Sequence, residues 1–438
     1  MRLLIVDVDN VGLDFALRCT AAGHEVKSFY QRPIGATSRP RSGDGLIQKV
    51  DDWEKWMRWA NLIVPTGNWI HLDRLEDYRK LGYPIFGPSK QSAQLEINRQ
   101  YGMEVFKKHG IEIPPYKMFA TIAEAEAYCW KHDARYVFKV LGSEEDKSLT
   151  YCARDSADMI NRFERWKKTG KTLKGACMLQ DFVPGIEFGV SAWMGKNGFL
   201  APLGENFEYK KLMAGEFGQN TGETGSVLQY ATKSKLFDQV LKPLEDFLVG
   251  IGHAGDLDVN CIIDEKGKPN VLEATCRTGW PAFFIQCSQH EEPCEWMADA
   301  LQGRDTLKVS NEVFTGIVMA QPPWPNKGAV QDQIVGTPIL GITEDNWDSL
   351  HPADCMMGKG VEMVDGVAVK KDMIVTSGTY VMCVTGSGAT VRKACRRAYA
   401  TVDEIHIPDA IVRDDVGENL QQSLPVLHGH GYATAMEH

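Results

Sequence analysis

Asp258-Val259-Asn260-Cys261-Ile262-Ile263-Asp264, a turn Glu265-Lys266-Gly267-Lys268, and Asn270-Val271-Leu272-Glu273-Ala274-Thr275-Cys276-Arg277 carry the most physical content in this chain. Two β-rich runs joined by a short glycine-containing turn predict an antiparallel hairpin. Side chains alternate across a strand, so Glu273, Thr275 and Arg277 share one face and Leu272, Ala274 and Cys276 the other. On the first strand Asp256, Asp258 and Asn260 share a face. A turn centred near Lys266-Gly267 sets Asn260 opposite Glu273 and Asp258 opposite Thr275. Oxygen ligands clustered beside one arginine are what a magnesium ion on a polyphosphate requires. The same pattern describes the polar, solvent-facing side of an ordinary hairpin, and the hairpin alone does not choose between them.

Outward from the hairpin the chain reads as α/β. Near the N-terminus, apolar runs at 3–8, 61–65 and 84–87 and a β-like piece at 25–30 alternate with helical patterns at 14–22 and 72–81. This alternation predicts a small parallel sheet covered by helices. Trp53, Trp56 and Trp59 fall three apart, which predicts one helix face packed on that sheet, with a nucleic-acid stacking surface as the competing reading. Residues 92–110 read as a helix, stopped by Ile113-Pro114-Pro115. Residues 136–154 read as strand, polar loop and strand, and 155–170 as an amphipathic helix. Strands at 178–181 and 187–194 flank Val183-Pro184-Gly185, and 235–250 reads as one strong helix. After Gly303 short strands and one helix (390–399) mark a C-terminal domain, and the tail from Gln421 is expected to be loosely ordered.

The 438 residues bear a formal net charge of -10, from 48 basic and 58 acidic side chains, which argues against a protein that coats nucleic acid. With 43% hydrophobic residues there is ample material for buried cores, and the length suggests two to four domains. No apolar stretch approaches the roughly 18 residues of a membrane-spanning helix. The N-terminus turns acidic at Asp7, too early for a signal peptide. Eleven scattered cysteines without a C-x-x-C pair predict neither a zinc site nor a disulfide framework, and fit a cytoplasmic protein with reduced thiols.

Other chemistry-bearing residues are fewer. Lys139 sits inside the apolar run Tyr136-Val137-Phe138-Lys139-Val140, and Lys147 lies across a polar loop. Two ammonium groups there would suit nucleotide phosphates, although two solvated lysines would share that spacing. Residues 218–226, Gly-Gln-Asn-Thr-Gly-Glu-Thr-Gly-Ser, could wrap an anion or form a flexible surface loop. No phosphate loop of the G-x-x-x-x-G-K-[ST] type and no dinucleotide fingerprint after the first strand is present. Cys276 falls on the inward strand face, which makes it a core thiol rather than a nucleophile.

With these pieces in order, residues 1 to about 420 resemble the glycinamide ribonucleotide synthetase (phosphoribosylamine–glycine ligase) family of ATP-grasp enzymes. Ile85-Phe86-Gly87-Pro88-Ser89 with Ala93-Gln94-Leu95-Glu96 is similar to its "vFGPs…AAqLE". The run from Gln180 to Ser191 is similar to "EEfLeGeEaSv", and Glu208-Tyr209-Lys210-Lys211 followed by Asn220-Thr221-Gly222 to "DHKR…PNTGG". The hairpin's Val271–Gly279 is similar to "vlEfNvRfG", and 375–378 and 412–417 to "vtsGGRV" and "yRrDIG".

The resemblance implies an ATP-grasp fold, with an N-terminal parallel-sheet α/β domain (1–92), an ATP-grasp core (93–305, small lobe about 120–185) and a small C-terminal mixed β domain (306–420), then the tail 421–438. It implies ATP and Mg2+ as cofactors. Lys139 and Lys147 would contact ATP phosphates, Gln180, Asp181, Phe182 and Val183 would line the adenine pocket, and Glu187 would reach the ribose. Glu273 would hold magnesium, with Asn260 and Thr275 as further ligands. Arg277 would face the transferred phosphate, and Lys210, Asn220 and Thr221 would lie near an acyl phosphate. The expected partners are a small-molecule amine and a carboxylate, with neither nucleic acid nor membrane.

Four departures stand out. The family's first loop, "GsGGREHA", is here Asp7-Val8-Asp9-Asn10-Val11-Gly12-Leu13-Asp14, with two aspartates that would repel a phosphate. "GPEaPL" is replaced by Pro65-Thr66-Gly67-Asn68-Trp69-Ile70, the ligating asparagine by Thr275, and "DPE" by Trp280-Pro281-Ala282. These favour a ligase with a changed amine substrate. The alternatives are a phosphoribosylamine–glycine ligase of purine biosynthesis and a nucleotide-binding protein without catalysis.

Overall fold

The computed structural model describes residues 1–31, 40–141, 149–170, 175–326 and 334–438. In the N-terminal unit four parallel strands, β1 (Arg2–Asp7), β2 (Glu25–Tyr30), β3 (Lys49–Val50) and β4 (Leu62–Pro65), form a sheet in the order β3-β2-β1-β4. The near-continuous apolar runs of β1 and β4 are those of strands covered on both faces. Helix α1 (Gly12–Ala21) and α2 (Leu72–Lys80) belong to this layer. Residues 84–87 make two isolated bridges, Ile63 to Ile85 and Gly87 to Ala254, rather than a strand. The three tryptophans do pack here, but around a single 3-10 turn, Glu54–Trp56, instead of an α-helix. Trp53 is buried against His71 and Tyr78, while Trp56 and Trp59 meet edge to face with the Lys27 ammonium over Trp56.

The helical stretch expected over 92–110 is two helices, α3 (Lys90–Ile97) and α4 (Arg99–Lys108). Asn98 leaves helical geometry and its side chain caps α4 by accepting from the Tyr101 N–H at 3.1 Å, so Arg99 opens a new helix. The small lobe is a four-stranded sheet of order β5-β8-β6-β7, from β5 (Tyr116–Phe119), β6 (Tyr136–Val140), β7 (Tyr151–Cys152) and β8 (Cys177–Asp181). Helices α5 (Ile122–Cys129) and α6 (Ser156–Lys168) cover one face with Phe138, Phe163 and Trp166 between them.

A large antiparallel sheet runs β14-β13-β9-β11-β12-β15-β19-β16. Its members are β9 (Gly185–Gly195), with β10 (Gly198–Phe199) at its side, β11 (Leu203–Met213), β12 (Phe217–Ala231), β13 (Gly255–Asp264), β14 (Pro269–Thr275), β15 (Val313–Ala320), β16 (Leu350–Pro352) and β19 (Tyr380–Gly388). The strands after Gly303 therefore extend the core sheet, and only the ribbon β17 (Cys355–Val364) and β18 (Val367–Thr376) stands apart. The 218–226 stretch lies within β12, because Asn220 and Gly225 pair with Lys211 and Tyr209 of β11. The helix expected over 235–250 is divided into α7 (Lys235–Val240), a 3-10 turn Lys242–Leu244 and α8 (Glu245–Gly250). Pro243 explains the interruption: it lacks an N–H and clashes with the preceding turn.

Helices α9 (Ala282–Gln289) and α10 (Glu295–Ala300) follow the hairpin, and α11 (Val391–Glu404) lies on β15 and β19. The tail is ordered, contrary to expectation: α12 (Leu420–Gly429) is helical, and Tyr432, Ala433 and Met436 are buried. The Tyr432 hydroxyl donates to Gln239 Oε1 at 2.7 Å and to the Gly267 carbonyl at 2.9 Å, which anchors a segment too irregular for pattern reading. Buried Asp14, His351 and half-buried Ser288 link α1, β16 and α9 through hydrogen bonds of 2.8 Å on either side of the imidazole. All eleven cysteines are free, and ten are buried, Cys276 fully.

Candidate active site

The hairpin has the predicted register: Asn260 stands opposite Glu273 and Asp258 opposite Thr275, with a bulge after Asn260. Strand β9 runs on the other side of β13, and β11 beyond it, so Glu187, Glu208 and Lys210 come onto the same site. The Lys210 ammonium lies 2.7 Å from Glu187, 2.8 Å from Glu208 and 3.4 Å from Glu273. Burial works against its charge, but the three carboxylates outweigh it and hold the ammonium well above its ordinary pKa. Asn260 Nδ2 donates to Glu187 at 2.7 Å and to Glu208 at 2.8 Å, while its Oδ1 is buried without a partner.

Above this floor sits Lys139, on β6 of the small lobe, buried and donating only weakly to the Leu272 carbonyl at 3.4 Å. Burial, reinforced by the Arg99 guanidinium, pulls its pKa down to about 7. Arg99 itself is 3.8 Å from Glu273. Arg277 pairs with Glu96 at 3.2 Å; burial opposes its charge, and Glu96 and Asp9 restore it. Asn220 donates to the Thr150 carbonyl of the small lobe at 3.1 Å, tying β12 to it, and Thr221 donates to the Lys210 carbonyl at 2.9 Å, bracing the β11–β12 pair.

Gln180 is buried in β8, and Asp181, Phe182 and Val183 lead into β9 with the Arg135 guanidinium 3.4 Å over the Phe182 ring. Glu187, expected at a ribose, accepts from Lys210 and Asn260 at 2.7 Å each, beside Glu273. Thr275 takes its place opposite Asp258. Lys147 lies outside the described residues. A cleft of about 690 Å³ between α3–α4 and the small lobe is lined by Asn98, Arg99, Phe119, Leu141 and Ala176 among others, and Arg99 links it to Glu273.

Four residues to which the motif reading gave no role lie with this group: Glu96, Arg99, Glu208 and Glu223. Glu208 was legible, since it alternates with Lys210 on one strand face. Arg99 was not, because its position depends on the break at Asn98. Glu223, on β12, is buried with Oε1 unpartnered; burial, then Glu208, pushes its pKa well above the usual carboxylate range.

The first loop has a decided geometry. Asp7 is fully buried, and its carboxylate accepts from the backbone N–H of Gly12 at 2.7 Å, of Asp9 at 3.0 Å, and from the Thr66 hydroxyl at 2.8 Å. Gly12 permits this approach, since a Cβ there would meet Asp7 Oδ2 and Ile5 Cγ2, each at 2.9 Å. A protein carboxylate thus occupies the positive N-terminal end of α1, where an anionic ligand would otherwise bind. Burial raises this carboxyl to about 6, against the pull of the Gly12 N–H.

Among the described residues no group of three or more His, Cys, Asp or Glu side chains is arranged to hold a metal ion by itself. The site nonetheless fits a divalent cation on a polyphosphate: Glu273 supplies a carboxylate, Asn260 an orphaned Oδ1, and phosphate oxygens complete such a shell.

The ATP-grasp (A) domain of phosphoribosylglycinamide synthetase matches residues 97–282, and the C domain of the same enzyme matches 314–419, together about two-thirds of the chain. The chain belongs to the phosphoribosylglycinamide synthetase family. It is thereby one of the ATP-grasp carbon–nitrogen ligases. The phosphoribosylamine–glycine ligase of Allochromatium vinosum is 27% identical over 443 residues, covering 95% of this chain and 98% of the relative. That of Ralstonia nicotianae is 28% identical over 360 residues, 78% and 79% of the two chains. The crystal structure of phosphoribosylamine–glycine ligase from Thermotoga maritima superposes with a TM-score of 0.68 at 21% identity, covering 95% of this chain and 100% of that one. The biotin carboxylase domain of Hydrogenobacter thermophilus 2-oxoglutarate carboxylase, solved with MgADP, ADP and bicarbonate, has a TM-score of 0.59 at 13% identity over 98% and 95%. No helix among the described residues is long and apolar enough to cross a membrane.

Proposed function

We propose that this chain is an ADP-forming carboxylate–amine ligase that uses ATP and Mg2+, and that its substrates are those its relatives are named for, phosphoribosylamine and glycine. One observation carries the ligase reading: the small-lobe cation Lys139 is buried against the Leu272 carbonyl of the hairpin, within electrostatic reach of Arg99, Glu273, Lys210 and Glu187. A buried lysine facing another cation is costly unless an anion joins it, and a nucleotide triphosphate is the anion this geometry suits. Gln180 to Val183, in the connection from β8 to β9, would line the adenine. Eleven unpaired thiols suit the cytoplasm.

The chemistry needs no protein nucleophile. A carboxylate oxygen of the substrate attacks the terminal phosphorus, the bond to the bridging oxygen breaks, and ADP leaves. The amine nitrogen then attacks the acyl carbon, inorganic phosphate leaves, and the amide nitrogen loses a proton. Lys139, Lys147 and Arg277 are the groups that would neutralise and orient the moving phosphoryl oxygens, and Lys210, whose carbonyl accepts from Thr221, would face the acyl phosphate with Asn220 and Thr221 alongside. Glu273 and Asn260, with Thr275 at the edge, would hold the magnesium, which supplies charge neutralisation on the phosphates when bound.

A changed amine is the second reading, and the Asp7 carboxylate seated on the α1 amides favours it, because it takes the place an amine's phosphate would need. Phosphate release should be measured with ATP, Mg2+ and glycine, adding phosphoribosylamine or a panel of unphosphorylated amines. Turnover with phosphoribosylamine at rates ordinary for enzymes supports the first reading. Turnover with an unphosphorylated amine alone supports the second, and ATP binding without ADP formation across the panel overturns both.

A further inference from the structure

Lys210 sits where the β11–β12 ladder loses its register, between the pairs Tyr209–Gly225 and Lys211–Asn220. Outward from there no third strand supports the hairpin among the described residues: β9 meets β11 only over Gly204–Asn206, and β15 meets β12 only over Gly225–Leu228. A two-stranded ribbon is marginal by itself, yet this one carries Lys210, Asn220 and Thr221. Its hold comes from Arg413, whose side chain is 1% exposed. The guanidinium donates to Glu216 at the ribbon's tip and to Asp415. It also reaches the Lys211 carbonyl at 3.1 Å, an acceptor shared with the Thr224 hydroxyl at the same distance. The Tyr209 ring lies beneath it, 5.0 Å from the centroid. Asp415 in turn accepts from the Gly215 N–H at 2.8 Å, and the Arg413 carbonyl accepts from the Tyr399 hydroxyl at 2.9 Å, which roots the clamp in α11. On the opposite strand of the ribbon Asn220 donates to the small lobe at the Thr150 carbonyl.

We propose that Arg413 is a positioning residue for the ligase reaction: from the C-terminal part of the chain it fixes the outer β11–β12 ribbon, and so places Lys210 among its carboxylates and Asn220 against the small lobe. The assignment rests on the ligase reading and adds to it a residue that acts through another. Buried, with its fork spent on Glu216, Asp415 and the Lys211 carbonyl, Arg413 is closed to a ligand and works through the backbone it holds. The planar fork serves three acceptors at once, whereas a lysine ammonium would keep the charge and lose that geometry. A misplacement of about 1 Å can cost on the order of a hundredfold in rate. A loosened ribbon is therefore felt at Lys210, while Gln180 to Val183, on other strands, stay as they are.

Arg413→Met and Arg413→Lys in the full chain test this through three measurements. These are MgADP affinity by calorimetry, ADP formation with ATP, glycine and the amine that the panel above identifies, and hydrogen exchange of the amides over 207–222. In the methionine variant kcat should fall about ten- to a hundredfold, with MgADP affinity unchanged. Exchange should quicken over 207–222 and not in the β13–β14 hairpin. The lysine variant should recover only a small part of kcat. Glu216→Gln and Asp415→Asn each remove one arm of the clamp and should give smaller losses of the same kind; if neither Arg413 variant folds, an unchanged kcat in both overturns the assignment. So does a folded methionine variant with unchanged kcat, or one whose kcat falls without faster exchange over 207–222. Full activity in the lysine variant overturns it as well, as does MgADP affinity that falls as far as kcat, which would mean a general loss of the site. A wild type without turnover across the panel overturns the ligase reading itself.

Discussion

Asn260 and Glu273 face each other across the β13–β14 hairpin, one offering a buried amide oxygen without a partner, the other a carboxylate 3.4 Å from the Lys210 ammonium. A neutral and an acidic oxygen ligand at one register position suit a divalent cation already half-coordinated by phosphates. Glu273→Gln is expected to raise the Mg2+ concentration for half-maximal activity at least tenfold and to lower turnover by about a hundredfold or more, the range seen when a charge-stabilising group is removed. Asn260→Ala should shift the Mg2+ requirement by less. Magnesium titrations of ADP formation check both; unchanged Mg2+ dependence in either folded variant removes that residue from the ligand set.

Lys139 is expected to act as a proton-linked phosphate anchor. With its pKa near 7 in the ligand-free protein, it is half-charged at neutral pH and loses charge as pH rises further. A bound triphosphate favours the ammonium, so nucleotide binding takes up a proton, and ATP affinity should fall between pH 7 and 9. Lys139→Met should flatten that pH dependence and weaken ATP binding at pH 6.5. Titration calorimetry in buffers of differing ionisation heat measures the proton uptake directly.

The Asp7 carboxylate substitutes for an external anion at the start of α1. Asp7→Ser shortens the side chain and frees the Gly12 and Asp9 amides. The variant should gain millimolar binding of inorganic phosphate that the wild type lacks, visible as a phosphate-dependent rise in melting temperature. It should also lose about 1–3 kcal/mol of stability in phosphate-free buffer, from the amides left unpaired.

Acid should destabilise the fold through histidines buried in the neutral form. Burial pushes both His253, bonded to Ser92, and His290, bonded to Tyr230, down to about 3. Their folded pKa lies below the unfolded value near 6.5, so the unfolded chain binds more protons below pH 6.5 and stability falls with pH. Each contributes a loss of about 2 kcal/mol between pH 6.5 and 5, at ~1.4 kcal/mol per unit. His290→Phe should reduce the slope of melting temperature against pH over that interval; an unchanged slope would mean His290 charges readily in place.

The ordered tail predicts a stability effect far from any chemistry. Tyr432 is fully buried, with the Lys235 ammonium over its ring. Tyr432→Ala should cost about 3–5 kcal/mol, as for other large-to-small core changes. Urea denaturation with an unchanged m-value would attribute the loss to the native packing.

The local sequence determined the elements whose partners are near in the chain. Period-two alternation set which hairpin residues share a face, and the turn length set Asn260 against Glu273, because both are consequences of one short loop. A lysine inside an apolar run marked Lys139 as buried for the same local reason, and the order of motifs along the chain was enough to name the family. Long-range pairing decided the rest. The 218–226 stretch, rich in glycine and polar residues, became strand only because β11 and β15 lie on either side of it. Nothing in residues 421–438 predicts burial; their packing depends on Gln239 and Gly267, nearly two hundred residues away in sequence. Asp7 looked like a charge that would repel phosphate, whereas tertiary structure buried it and turned it into the anion itself. Glu223 is the clearest case, since an unpartnered carboxylate is defined by what surrounds it, and its surroundings come from β11, β13 and β19, brought together by the fold alone.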